Sequence, residues 1–246
     1  MKLYPAIDIR EGNCVRLYQG DYDNETVYGN DPVAQATAFV EEGAEIIHMV
    51  DLDAAKSGVQ SNLGAIERVC AALDVPVQVG GGVRSVEAAD ALYDAGVSRV
   101  VIGTAALEQP ELVTTLTGMG RSVAVGLDAR GDKVATHGWT QDSGRTVFDL
   151  AAEYESAGVE ALIVTEIGRD GTLEGPDSEG LQKLLSVTSI PVIASGGVGV
   201  LEDVTTLASV EVEGRRFEGA IVGRALYEGK FSVAEALQAL KMSEKS

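Results

Sequence analysis

The stretch PVQVGGGVRSVEAADAL (residues 76–92) returns 115 residues later as PVIASGGVGVLEDVTTL (191–207), and this pair points to a duplicated architecture. At the same offset GAEIIHMVDLD, from Gly43, aligns with GVEALIVTEIG, from Gly158. VVIGTAALE, from Val100, recurs as AIVGRALYE, from Ala220, after a small insertion around 211–217; AIDIREGNCVRL, from Ala6, echoes GLDARGDKVATH, from Gly126. The second half of the chain therefore reads as a copy of the first. Short Val/Ile/Leu runs alternate with segments of helical period, each run ending in a polar or Gly-containing turn, so each copy is a (βα)4 unit. Candidate strands are Lys2–Asp8, Glu45–Asp51, Val77–Gly80, Arg99–Ile102, Ser122–Asp128, Ala161–Thr165, Val192–Ser195 and Gly219–Val222. Near-continuous apolar strands imply a parallel sheet buried on both faces. A doubly wound sheet satisfies that condition too, but it has no reason to be twofold, whereas two (βα)4 halves close into a (βα)8 barrel. The expected organisation is one α/β barrel domain over 1–246, with half-barrels at about 1–120 and 121–240 and a short tail at 241–246.

Composition agrees with a large packed core. The 246 residues are 45% hydrophobic and 5% aromatic, with 29 Gly and 6 Pro. Asp and Glu number 38 against 19 Lys and Arg, a formal charge of −19. Such a surface excludes non-specific binding to nucleic acid or anionic lipid, which runs on clustered cations. The surplus acid is expected on outer helices, such as 39–45 and 166–179. The N-terminus carries Asp8, Arg10 and Glu11 too early for a secretory signal, and no apolar run approaches the length of a membrane span. Cys14 and Cys70 stand in unrelated contexts and are expected as buried reduced thiols, consistent with a cytoplasmic setting.

In such a barrel the chemistry lies on the loops after the C-terminal strand ends. Strands one and five end in Asp8 and Asp128, opposite one another across the mouth and related by the repeat. Two carboxylates facing one ligand supply a general acid and a general base. Strands three and four lead into Gly81-Gly82 and Gly103-Thr104; strands seven and eight lead into Ser195-Gly196-Gly197 and Gly223-Arg224. Glycine turns entering helices let backbone N–H groups approach an anion, and the loops after strands seven and eight of a barrel are its usual phosphate site. The device appears twice on opposite rims, so the expected ligand is long, with a phosphate at each end, and Arg84 and Arg16 stand nearby. The loop after strand six, Arg169-Asp170-Gly171-Thr172, offers Asp170 as an assisting acid or sugar anchor beside Thr165. The loop after strand five carries His137 and the sole tryptophan, Trp139, an aromatic plate for a base or imidazole. The first loop, residues 18–29, is too long for a simple connection and reads as a lid. His48, inside strand two, is expected to be structural. No HExxH, zinc spacing, Walker lysine or nucleophile elbow occurs, so no metal and no cofactor is expected.

The motifs PAIDIREGNCVRLYQGDYD, HMVDLDAA, VGGGVRS, VIGTAAL, VGLDARGDKVATHGW, VTEIGRDGTLEGP, ASGGV and IVGRALYEGK together resemble the ribotide isomerase family of histidine biosynthesis, from Met1 to about Leu240. That resemblance implies an Amadori rearrangement of a bis-phosphorylated formimino-aminoimidazole carboxamide ribotide, aminoaldose to aminoketose, by a protein that works as a monomer without cofactor. It implies Asp8 as proton acceptor, Asp128 as proton donor, Thr165 and Asp170 in support, the four glycine turns at the phosphates, and Arg16 and Trp139 on the substrate. The related cyclase typically reads PCLDV and NSAA where this chain has PAIDI and GTAA, and dedicated phosphoribosylanthranilate isomerases place a Cys where Asp8 stands. A bifunctional isomerase that also takes phosphoribosylanthranilate tends to carry Arg-Gly-Trp at His137-Gly138-Trp139 and a different lid. The residues here favour the single-substrate enzyme, with the bifunctional one as the alternative.

Overall fold

The computed structural model describes residues 1–243. Twelve strands form: β1 (Lys2–Arg10), β2 (Asn13–Tyr18), β3 (Asp21–Gly29), β4 (Ile47–Asp51), β5 (Val77–Gly80), β6 (Arg99–Ile102), β7 (Val123–Arg130), β8 (Lys133–Thr136), β9 (Gln141–Thr146), β10 (Ala161–Glu166), β11 (Val192–Ser195) and β12 (Gly219–Val222). Eight of them pair in parallel in the order β1-β4-β5-β6-β7-β10-β11-β12, and β12 returns to β1, so the sheet closes. This is the (βα)8 barrel that the repeat anticipated, with helices between successive strands.

Strand periodicity sorts each side chain into one of two cores, because alternate residues face opposite sides of the sheet. One set fills the barrel interior: Tyr4, Ala6, Ile46, Val101, Ala124, Ala161, Ile163, Ile193 and Ile221. The other set, including Ile7, Ile9, Met49, Val79, Ile102, Leu127, Leu162 and Val222, packs beneath the helices. The same alternation carried two residues past the interior layer brings Asp8 after Ala6, and Thr165 after Ile163, to the mouth on the inward side. His48 also faces inward; Gln78 Nε2 lies 2.8 Å from its Nδ1, and burial lowers its pKa to about 3, so it is a neutral interior imidazole.

Several expectations are corrected. The long loops after the first and fifth barrel strands are antiparallel β-structure: β1 pairs with β2 and β2 with β3, while β7 pairs with β8 and β8 with β9. Of residues 166–179 only Ser178 and Glu179 are helical, at the start of the helix Ser178–Val187, and Glu166 is engaged at the mouth. Cys14 is buried but Cys70 only partly so, and burial pushes both thiols up to about 11. Residues 241–243 belong to the last helix, Val233–Ser243, rather than to a tail; the rest of the expected tail lies outside the described residues. Among the described residues no helix is long and apolar enough to cross a membrane.

The paired glycine turns are explained first by packing. Gly82 has φ +70°, and a methyl there would sit 2.5 Å from the Ala54 carbonyl oxygen. Its repeat mate Gly197, φ +89°, meets the Gly175 carbonyl in the same way. Both the left-handed backbone and the rigid neighbour forbid a side chain. Gly82→Ala is expected to cost about 3 kcal/mol or more and to lower the melting temperature by roughly 6–12 °C, measured by calorimetry.

Candidate active site

The mouth is built from strand ends whose inward side chains have run out of apolar partners. Asp8, 9% exposed, makes an ion pair with Arg16 of β2, Nη1 to Oδ2 3.0 Å. The short turn 11–12 folds β2 back beside β1, which places Arg16 over Asp8. Burial raises the Asp8 pKa to about 6, opposed by the Arg16 charge and assisted by the neighbouring charge of Asp170. The Arg16 guanidinium also lies against the Cα of Gly223, where a side chain would collide with it, and its Nε is buried without a partner. Arg16 thus spans the distance from Asp8 to the turn after β12.

Asp128, at the end of β7, is held differently. Its Oδ2 accepts a hydrogen bond from the Trp139 indole N–H at 2.8 Å, and Thr165, opposite it in the β7–β10 register, also bonds its carboxylate. Burial raises the pKa of Asp128, those two hydrogen bonds lower it, and the Asp170 charge raises it. Asp170 is itself raised by burial, against the pull of Arg16 and of the Gly171 N–H. Three carboxyl groups with one buried cation therefore share the mouth. Burial makes each harder to ionise than in water.

The hairpin β2–β3 crosses to the far rim. Gln19 donates its side-chain N–H to the Gly168 carbonyl, 2.7 Å, and its backbone N–H to the Asp170 carbonyl, 3.3 Å. Gly20 lies close against the Trp139 ring, which requires the absence of a side chain there. The segment expected as a lid is thus a strand pair seated on the loops after the fifth and sixth barrel strands.

The structure brings together Asp8, Arg16, Asp170, Gly171 and Gly223 on one side, and Asp128, Trp139 and Thr165 on the other. Other expected residues are placed elsewhere or otherwise engaged. Arg84 donates to the Ala55 carbonyl at 2.9 Å, on the helix Leu52–Ser57, so its cation is directed at that helix end. His137 is half exposed, and its Nε2 lies 3.2 Å from Glu108 Oε1; its backbone N–H donates to Thr104 Oγ1. Arg224 donates to the Gly171 carbonyl and to Glu228. Gly103 and Gly223 immediately precede the short helices Thr104–Glu108 and Arg224–Tyr227, and nothing stands within 4 Å of a methyl built on Gly103. Gly81-Gly82 and Ser195-Gly196-Gly197 sit at the ends of β5 and β11, in turns packed on the preceding strand–helix loops. Sequence reasoning missed Gln19 and the role of Glu166. The only signal was a Gln-Gly pair in an over-long loop and an acid directly after Thr165.

Residues 2–232 match the family described as histidine biosynthesis protein. A protein of Picosynechococcus sp. is 52% identical over 242 residues, covering 98% of this chain and 93% of its own length. One of Synechococcus elongatus is 50% identical over 241 residues, 98% and 93% respectively. One of Parasynechococcus marenigrum is 48% identical over 242 residues, 98% and 94%. Each of these bears the name 1-(5-phosphoribosyl)-5-((5-phosphoribosylamino)methylideneamino)imidazole-4-carboxamide isomerase. With half of its residues shared over nearly the full length of both chains, and with the closed eight-stranded barrel to hold them, this chain belongs to the histidine biosynthesis protein family and is an isomerase within it.

Proposed function

We propose that the protein converts the bis-phosphorylated imidazole carboxamide ribotide from aminoaldose to aminoketose, with Asp8 as general base and Asp128 as general acid. The observation that carries this reading is the pair of burial-raised carboxyls on the first and fifth barrel strands, each with its own partner set. Asp128, whose pKa burial raises, delivers a proton to the ribose ring oxygen, so the C1′–O bond breaks and a Schiff base forms. Asp8, ionised above about pH 6 and steadied by Arg16, removes the proton from C2′. The resulting enolamine tautomerises to the ketone. Trp139 and Thr165 hold the Asp128 carboxyl in place, and the charge of Asp170 raises the pKa of both Asp8 and Asp128. The turns at Gly81-Gly82 with Gly103-Thr104 and at Gly196-Gly197 with Gly223-Arg224 receive the two phosphates. The acid protein surface does not oppose this, because the attraction is local, through backbone N–H groups and Arg16.

Steady-state turnover of the purified protein on the imidazole carboxamide ribotide and, separately, on phosphoribosylanthranilate tests the reading. Conversion of the first alone is expected. Conversion of both gives the bifunctional enzyme, and conversion of neither overturns the isomerase mechanism.

A further inference from the structure

Glu166 follows Thr165 at the end of β10, and both its carboxylate and its carbonyl are spent on loops of the mouth. Its carboxylate accepts the Gly131 N–H through Oε2 at 2.8 Å and the Gly168 N–H through Oε1 at 3.0 Å. Gly131 starts the strand pair that carries Trp139; Gly168 starts the loop that carries Asp170. The Glu166 carbonyl accepts the N–H groups of Arg169 and Asp170, both at 3.0 Å. Gly168 in turn offers its carbonyl to Gln19 of the crossing hairpin, and Gly20 beside it rests on Trp139, which donates to Asp128. These contacts, joined by the chain running through β8 from Gly131 to Trp139, form a closed ring through three loops: hairpin tip, Gly168, Glu166, Gly131, Trp139, and back to the hairpin.

The first half of the barrel shows what the equivalent position does when the task is divided. Asp51 matches Glu166 at the repeat offset. Its carboxylate accepts the Ala54 N–H at 2.9 Å and the Asn62 side-chain N–H at 2.7 Å. The base of the first hairpin is held instead by Asp53, which accepts the Glu11 N–H at 2.7 Å, and by Asn62, which accepts the Gly12 N–H at 3.1 Å. Three side chains there do what one carboxylate does in the second half.

We propose that Glu166 is a positioning residue whose carboxylate couples the three mouth loops, so that Trp139 and Asp170 reach their seats together with the hairpin. This deepens the isomerase reading and rests on it for its kinetic consequences. An ionised carboxylate accepting two backbone N–H groups is suited to the task, because charge-assisted bonds are short and directional. A neutral amide turns one of its two ends into a donor, facing an N–H, so the ring must open at Gly131 or at Gly168.

The test is Glu166→Gln, with Gln19→Ala breaking a second link of the same ring, and the double variant. The readouts are kcat and KM on the ribotide, fluorescence of the single tryptophan, and amide exchange around residues 131 and 168. Roughly ten- to a hundred-fold lower kcat/KM is expected for Glu166→Gln, the usual result of a small misplacement of catalytic groups. Emission shifts toward that of a solvent-exposed indole, and exchange quickens at 131 and 168 while the barrel strands keep wild-type protection. Gln19→Ala, at an exposed hairpin tip, moves emission the same way, and the double variant is no worse than Glu166→Gln alone, since a ring opens once. Wild-type emission and kinetics in Glu166→Gln, strictly additive losses, or faster exchange spread over all strands would each overturn the proposal. If the wild-type protein fails to convert the ribotide, the isomerase mechanism falls, while emission and exchange still decide whether Glu166 couples the loops.

Discussion

Asp8→Asn is expected to lower kcat on the ribotide by about 10³–10⁴-fold while leaving ligand affinity within a few-fold of wild type. Asn keeps the shape and the hydrogen-bonding oxygen of Asp8, so Arg16 retains a partner, but an amide cannot take the C2′ proton. The pH profile gives a second reading of the same substitution. A base with a pKa of about 6 is protonated and idle in more acid solution, so wild-type kcat/KM falls as pH drops through about 6. That limb disappears in Asp8→Asn. Turnover near the wild-type rate, or an unchanged acid limb in the residual activity, would assign the base elsewhere. Isothermal titration with the ribotide separates a loss of chemistry from a loss of binding.

Arg16→Met acts on the same carboxyl from the other side. The guanidinium is nine-tenths buried, as is the Asp8 carboxyl 3.0 Å away, and Arg16 is also the cation that lowers Asp170. Without it, burial and the mutual repulsion of Asp8 and Asp170 act unopposed, so the Asp8 pKa rises above its value of about 6. The acid limb of kcat/KM therefore moves toward alkaline pH. Stability follows from the same linkage: a carboxyl whose folded pKa lies above its unfolded value stabilises the fold below the unfolded pKa, and that contribution is lost as pH rises through the folded pKa. The variant should be least impaired near pH 4–5 and lose roughly 3–5 kcal/mol near pH 8, where its buried carboxylates have no counter-charge. Thermal unfolding from pH 5 to pH 8 measures this, and a loss of the same size at both ends would show that Arg16 contributes packing rather than charge.

The two substitutions share a cause that also separates what was legible in the chain from what was not. Asp8, Asp128, Thr165 and the glycine turns could be picked out because strand ends in a parallel barrel converge, and because the duplication marked the same positions twice. Trp139 was placed correctly in the loop after the fifth barrel strand, yet its bond to Asp128 depends on the strand pair β8–β9. Nothing in HGWTQDSG specifies that pairing by periodicity. The first hairpin was hidden for a similar reason: residues 21–29 are mostly exposed and polar, so strand alternation left no apolar signature. Sequence proximity to a glycine turn does not fix where the long, flexible Arg84 side chain ends; its guanidinium donates to the Ala55 carbonyl.

The order of residues alone specifies the closed twofold barrel and the identity of its inward strand ends. These follow from period-2 burial and from duplication, both local and repetitive properties of a chain. Which polar groups meet depends on the folded arrangement: Arg16 pairs with Asp8 and reaches Gly223, Trp139 and Thr165 hold Asp128, and Glu166 joins three loops. Those pairings depend on distances of about 3 Å between residues far apart in the chain, set by how the loops fold over the mouth once the barrel beneath them has closed.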